Sequence, residues 1–267
     1  MQNEKNLQYK GFLNTPKLWG NAPVLGLQQI NLPVVQATAL SETDLPKRLG
    51  HRVEQFVFEE LKAINTCEIV ATNLQIIEDK ITLGEIDCLL QYEPTPIHLE
   101  IIYKFYLYDE SVGTSAIEHW IGPNRKDSFI DKLTKLKQKQ LPLLQHPFTQ
   151  NCLTKIGVNT KSIKQQVYFK AQLFVPIKRL KQRFNIINNN CIAGFYVHYN
   201  QLSPFKNNTF YIPSKLDWLV TPHQKVTWLN FQEFEKSLSP YMLKKQAPMC
   251  WLKHPNGKMQ KFFVVWW

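Results

Sequence analysis

The sequence is poor in the features that mark secreted, membrane and zinc-thiolate proteins. Its five cysteines, Cys67, Cys88, Cys152, Cys191 and Cys250, are odd in number and widely spaced. No C-x-x-C pair occurs, which argues against a thiolate zinc site and for a reducing compartment. No apolar run approaches the ~20 residues of a membrane span. The start, Met1-Gln2-Asn3-Glu4-Lys5, is not followed by the apolar stretch of a secretory signal. Internal repeats and low-complexity tracts are absent. A cytoplasmic protein is expected. Acidic residues are the scarcer charge: 21 Asp and Glu stand against 32 Lys and Arg, a formal charge of +11. That excess favours polyanionic partners, because Lys or Arg set against phosphates releases condensed counterions.

The chain has 267 residues, 44% hydrophobic and 20% charged, enough for one large domain or a catalytic domain with an extension. Three segments are expected: a lead-in over 1–40, a core over 41–180, and a β-rich aromatic extension over 181–267 packed on that core. The core opens with a helix from Pro46 to Ala63, with Asp44 as cap and Pro46 in its first turn. Leu49, Val53, Phe56, Val57 and Leu61 form its apolar stripe, and Glu54 borders it. Strands follow at Glu68–Gln75, Ile81–Gln91 and Ile97–Leu107. The short link Tyr92-Glu93-Pro94-Thr95-Pro96 makes the last two an antiparallel hairpin. A second helix is expected from Arg125 to Leu141, capped by Asn124, then a strand over Gln166–Ile177. After Lys181 short β segments are expected at Cys191–Tyr199, Thr209–Pro213 and Lys258–Trp266.

Side chains alternate along a strand. Glu85, Asp87 and Leu89 therefore share a face, as do His98, Glu100, Ile102 and Lys104. The opposite face of the third strand, Leu99, Ile101, Tyr103 and Phe105, must look into a core. Ionised groups on such strands are costly unless paired or bound to a metal, and neighbouring carboxylates also repel. A hard cation relieves both, since Mg²⁺ prefers oxygen ligands at ~2.1 Å. It can also polarise a phosphodiester and activate a water, with a lysine steadying phosphoryl charge.

The set Gly50-x-x-x-Glu54, Gly84-Glu85-Ile86-Asp87 and Leu99-Glu100 leading to Lys104 resembles the PD-(D/E)XK nuclease superfamily. The order helix, three strands, helix, strand is also that superfamily's. The run His98 to Leu107, then Trp120-Ile121-Gly122-Pro123-Asn124 and Asp127, is similar to an uncharacterised bacterial domain-of-unknown-function family classed with these nucleases. The resemblance implies an α/β, restriction-endonuclease-like or Holliday-junction-resolvase-like core, with a mixed central sheet flanked by helices. It implies Asp87 and Glu100 as ligands of Mg²⁺ or Mn²⁺, the Ile101 carbonyl as a further ligand, and Lys104 as the catalytic lysine. It places Glu54 near the metal and Gln140 toward the site. The usual lysine position, two residues after the glutamate, holds Ile102; Lys104 lies ~6.6 Å further along the strand.

The expected activity is metal-dependent hydrolysis of DNA, ahead of RNA, by a metal-activated water. Alternatives stay open: a catalytically inactive nucleic-acid-binding module on the same fold, or a protein-interaction scaffold. Residue by residue, Glu100–Lys104 also reads as a structural ion pair, Glu85 as a surface or supporting partner, Glu54 as a helix-surface charge, and His98 as a satisfied histidine. Lys132 and Lys135 read as phosphate contacts or as a solvated helix face, and Lys178, Arg179, Lys181 and Arg183 share that ambiguity. Nucleic acid is the expected partner, a membrane is not, and no homodimer interface is visible in the sequence.

Overall fold

The computed structural model describes residues 2–34, 40, 45–155, 162–223 and 225–267. It is an α/β protein with a mixed sheet flanked by helices. The chain divides into two compact units, both discontinuous in sequence. One comprises Lys17–Tyr103 and Asp131–Lys170; the other comprises Met1–Pro16, Lys104–Ile130 and Ala171–Trp267. All five cysteines are free thiols. Among the described residues no helix is long and apolar enough to cross a membrane.

The first unit is built around strands β1 (Cys67–Glu78) and β2 (Ile81–Tyr92), β3 (Thr95–Tyr108) as far as Tyr103 and β5 (Lys164–Pro176) as far as Lys170, in that sheet order; the rest of β3 and β5 belongs to the other unit, where β4 (Trp120–Ile121) pairs Leu107 and Tyr108. The β1–β2 and β2–β3 pairs are antiparallel, as the short links between them require. Helix α2 (Leu49–Lys62) buries the whole expected stripe, Leu49, Val53, Phe56, Val57 and Leu61. It begins after Pro46, whose carbonyl instead accepts a hydrogen bond from Arg52 Nε at 2.9 Å. Asp44, the expected cap, lies outside the described residues. A second apolar cluster gathers Ile76, Ile86, Leu89, Leu143, Leu144 and Leu153. Gly84 makes room for it, since a Cβ there would sit 2.8 Å from Leu143 Cδ2.

The second helix is shorter than the sequence pattern implies. Helix α3 covers Phe129–Lys135 and passes into a π turn, Leu136–Gln140, and a 3-10 turn, Leu141–Gln145. Asn124 does not cap it. Arg125 has φ +53, a left-handed turn conformation, and Asn124 Oδ1 accepts the Ala247 N–H at 2.8 Å. Helix α4 (Pro147–Lys155) follows.

In the second unit β6 (Ile192–His198) runs parallel to β5 and to β9 (Met259–Val265), and β8 (Met249–Lys253) joins β9 to β7 (Thr209–Tyr211) by antiparallel pairing. Two helices complete it: α1 (Gln2–Leu13) and α5 (Phe231–Leu243). Helix α5 falls where the aromatic pattern reads as β alone. Its start carries a capping box, Asn230 with Glu233, and its Phe234 stacks on Phe210 at 4.1 Å between ring centroids.

Candidate functional site

The β2–β3 register ends at Cys88↔Leu99. Beyond it β2 stays with β1, pairing Ile86 with Leu74 and Glu85 with Gln75. Asp87 therefore stands at the fork where β2 leaves β3, one step past the last pair and facing the Glu100 position. A backbone N–H at a fork needs an acceptor. The Ile101 N–H finds it in Asp87 Oδ2, at 2.8 Å.

Glu100 and His98 are fully buried. Glu100 Oε1 accepts from His98 Nε2 at 3.1 Å, and Oε2 accepts from Gln140 Nε2. Gln140 Oε1 in turn accepts from Lys132 Nζ at 2.8 Å. On the other side, Gln165 Nε2 donates to His98 Nδ1 at 3.1 Å and to the Leu141 carbonyl. The ends of this chain fix its direction. An ammonium only donates and a carbonyl only accepts, so both glutamine amides have one orientation and the His98 ring carries its proton on Nε2. The π turn supplies Gln140. Such a turn rotates the side chains that follow it out of α register, and here it delivers the amide to Glu100.

The Asp87 carboxyl is pushed up to about 7, first by burial and next by the Glu100 charge. The Ile101 N–H works against that shift, the Glu54 charge adds to it, and the Lys132 charge opposes it. Glu54 is held by His51 Nδ1 at 3.2 Å and by Asn73 Nδ2 at 3.5 Å. Asp87, Glu100, His98, Ile101, Gln140, Lys132 and Glu54 are thus linked by hydrogen bonds or by charge within one unit.

Other expected residues stand elsewhere. Glu85 accepts from Gln75 Nε2 at 3.5 Å, and Lys135 is exposed. Lys104 belongs to the other unit, where its Nζ pairs with Asp127 Oδ2 at 2.6 Å. Gln165 and Asn73 were not singled out in the sequence. Neither carries a spacing signal, because each acts through a partner that is distant along the chain.

Among the described residues, no group of three His, Cys, Asp or Glu side chains is placed to hold a metal ion. The donor set offers two carboxylates. Each Glu100 oxygen takes one hydrogen bond and Asp87 Oδ2 takes one, so both groups keep lone pairs for a hard cation. Mg²⁺ is commonly held this way, by one or two carboxylates with waters completing the octahedron.

No curated protein and no solved structure matches the chain. A family model does, over residues 14–265, almost the whole length: that of the domain of unknown function DUF1853. The chain belongs to the DUF1853 family.

Proposed function

We propose that the chain is a Mg²⁺-dependent phosphodiesterase that cuts DNA. The observation that carries this reading is the Asp87–Glu100 pair: two carboxylates at a strand fork, one fully buried, with the Glu100 charge raising the Asp87 pKa and the Lys132 ammonium working against that shift. Burial of like charges at this cost calls for a counter-cation. The helix α2, the strands β1, β2 and β3, the helix α3 and the strand β5 follow one another in the order a restriction-endonuclease-like core would need, with β4 and α4 as additions to it, and the charge of +11 suits a polyanionic substrate.

In this reading Asp87 and Glu100 hold the metal, with the Ile101 carbonyl as a further ligand. When bound, Mg²⁺ polarises a phosphodiester and lowers the pKa of its water. The chain's own residues do the rest. Gln140 and His98 fix the Glu100 carboxylate, and the Ile101 N–H fixes that of Asp87. Glu54 lies close enough for its charge to act on Asp87, as a base or water-borne ligand requires. Lys132, which donates to Gln140 and whose charge acts on Asp87, would supply the ammonium for the phosphoryl oxygens.

The test is incubation of purified protein with DNA and RNA of varied structure, in Mg²⁺, Mn²⁺ or EDTA. Cleavage is expected with either metal, and none with EDTA or in Asp87→Asn. Cleavage that survives Asp87→Asn removes the assignment. One observation favours a second reading, a binding module without catalysis: the Lys104 amine is occupied by Asp127. That reading expects salt-sensitive, metal-independent DNA binding and no product in any arm.

A further inference from the structure

Neither donor to the buried Glu100 carboxylate is a cation. Gln140 gives an amide N–H, and His98 gives the Nε2–H of a ring whose Nδ1 is itself an acceptor. A histidine can hold a carboxylate in two ways. As an imidazolium it also neutralises the charge; as a neutral ring it orients the oxygen and leaves the charge in place. The group at the other ring nitrogen decides between the two. Here that group is Gln165.

Gln165 stands near the start of β5, which lies beside β3 in the sheet. Its amide nitrogen carries two hydrogens. One goes to His98 Nδ1 at 3.1 Å and the other to the Leu141 carbonyl. The carbonyl only accepts, so the amide cannot turn its oxygen to the ring without losing that bond. A donor aimed at Nδ1 leaves no room for a proton there. Leu141 adjoins Gln140, so consecutive residues at the end of the π turn serve both partners of Glu100. The Gln140 side chain reaches Glu100 Oε2, and the Leu141 carbonyl anchors the amide that sets His98. The contacts close a ring around the carboxylate, all of it within the first unit.

We propose that Gln165 is a positioning residue for Glu100: anchored on the Leu141 carbonyl, it holds His98 as a neutral Nε2–H donor, so that Glu100 is oriented with its charge left for a divalent cation. The inference rests on the reading of Asp87 and Glu100 as metal ligands. It adds the start of β5 and the end of the π turn to what sets metal affinity. Gln165 touches neither cation nor substrate and acts only through His98. Loss of a hydrogen-bond partner behind a ligand costs about 10–100-fold in metal affinity.

The test uses two readouts, neither of them cleavage. Calorimetric titration of the full chain with Mn²⁺ and with Mg²⁺, at one fixed pH, measures affinity. Nitrogen-15 NMR of the metal-free chain, labelled at histidine and with His98 identified by its loss in His98→Gln, shows which ring nitrogen bears the proton. In the unmodified chain that nitrogen is expected to be Nε2, with Nδ1 bare and hydrogen-bonded. Gln165→Leu removes the amide and is expected to weaken Mn²⁺ binding about 10–100-fold. Gln165→Glu keeps the shape but can only accept. It is expected to draw a proton to Nδ1, visible in the nitrogen spectrum, and to weaken the metal as well. Should Gln165→Leu not fold, the isosteric Gln165→Glu and the spectrum of the unmodified chain still decide the matter. A merely structural tie between β5 and the turn would lower the melting temperature of both variants and leave their metal affinity unchanged. That outcome, or a proton on Nδ1 of the unmodified chain, overturns the proposal. Absence of Mn²⁺ and Mg²⁺ binding by the unmodified chain overturns the metal reading and this inference with it. Metal binding that depends on Gln165, without cleavage of any DNA, overturns the nuclease reading alone and supports the role of Gln165.

Discussion

The two units each bury an ionisable group, and desolvation drives both toward neutrality from opposite directions. Asp87 is raised from 3.8 to about 7, and Lys261 is lowered from 10.5 to about 7. Their surroundings differ. Asp87 sits among like charges, Glu100 and Glu54, which the Ile101 N–H and the Lys132 charge work against. Lys261 sits among neutral acceptors, with an aromatic face alongside. One site carries an excess of negative charge that a cation would relieve. The other holds an amine that burial drives toward its neutral form and that two neutral acceptors satisfy. Burial alone makes either residue costly; the neighbours decide whether a ligand would offset that cost.

The largest expected effect is on the pH dependence of stability, and it separates the two units. For Asp87 the native state holds its proton up to about pH 7 and the unfolded state releases it near 3.8. Its contribution is therefore full below pH 4 and is lost as pH rises to 7. An interval of about three pH units corresponds to roughly 4 kcal/mol. Lys261 is the reverse. The unfolded state keeps its proton to about 10.5 and the native state gives it up near 7, so stability rises from pH 7 to 10.5. Urea denaturation of the chain in EDTA should show both slopes. Asp87→Asn is expected to flatten only the acid side and Lys261→Met only the alkaline side. Mg²⁺ should restore stability at pH 8 to the unmodified chain and not to Asp87→Asn. Equal slopes in the unmodified chain and both variants would remove the comparison.

Next in size is Glu100→Gln. The new amide matches the shape of the carboxylate, but its NH₂ must point at either His98 Nε2–H or Gln140 Nε2–H. Neither partner can turn to receive it, because Lys132 fixes Gln140 and the Leu141 carbonyl fixes Gln165 and, through it, His98. One donor is left facing another, at a cost of about 1–3 kcal/mol in unfolding free energy. Lys132→Met frees Gln140 to turn, so the double variant should regain part of that loss. Additive costs in the double-mutant cycle would mean that the chain has no fixed direction.

The strand hairpin, the stripe of α2, and the parity that sets Glu100 opposite an apolar face follow from local periodicity, and those were legible in the sequence. Tyr92 to Pro96 can hardly be anything but a turn, and alternation does the rest. Gln140 was visible only as a polar residue on an apolar helical face; its reach to Glu100 depends on a π turn, which has no composition signature. Gln165 was not visible, since its function is to hold His98, a residue 67 positions away. Helix α5 was hidden by its own core. The expectation of a β-rich extension after Lys181 covered it: Phe210 lies in the segment expected as a strand, and Phe234 of α5 stacks on that ring. The Asn124 cap failed because the turn around Arg125 sends that side chain to Ala247.

The smallest expected stability effect is also the one that assigns the lysine. The Lys104–Asp127 pair is 34% and 44% exposed, so screening leaves it worth only about 0–1 kcal/mol. Lys104→Ala should therefore leave the melting temperature nearly unchanged and lose what little it costs in high salt. Lys132 differs, because its ammonium donates to Gln140 and its charge acts on Asp87. If an ammonium serves the phosphoryl group, Lys132→Ala should reduce cleavage far more than Lys104→Ala, after both rates are compared at saturating metal. A larger loss in Lys104→Ala would return the catalytic lysine to the position implied by the resemblance to PD-(D/E)XK enzymes. It would also mean that the Asp127 contact is exchanged when substrate binds.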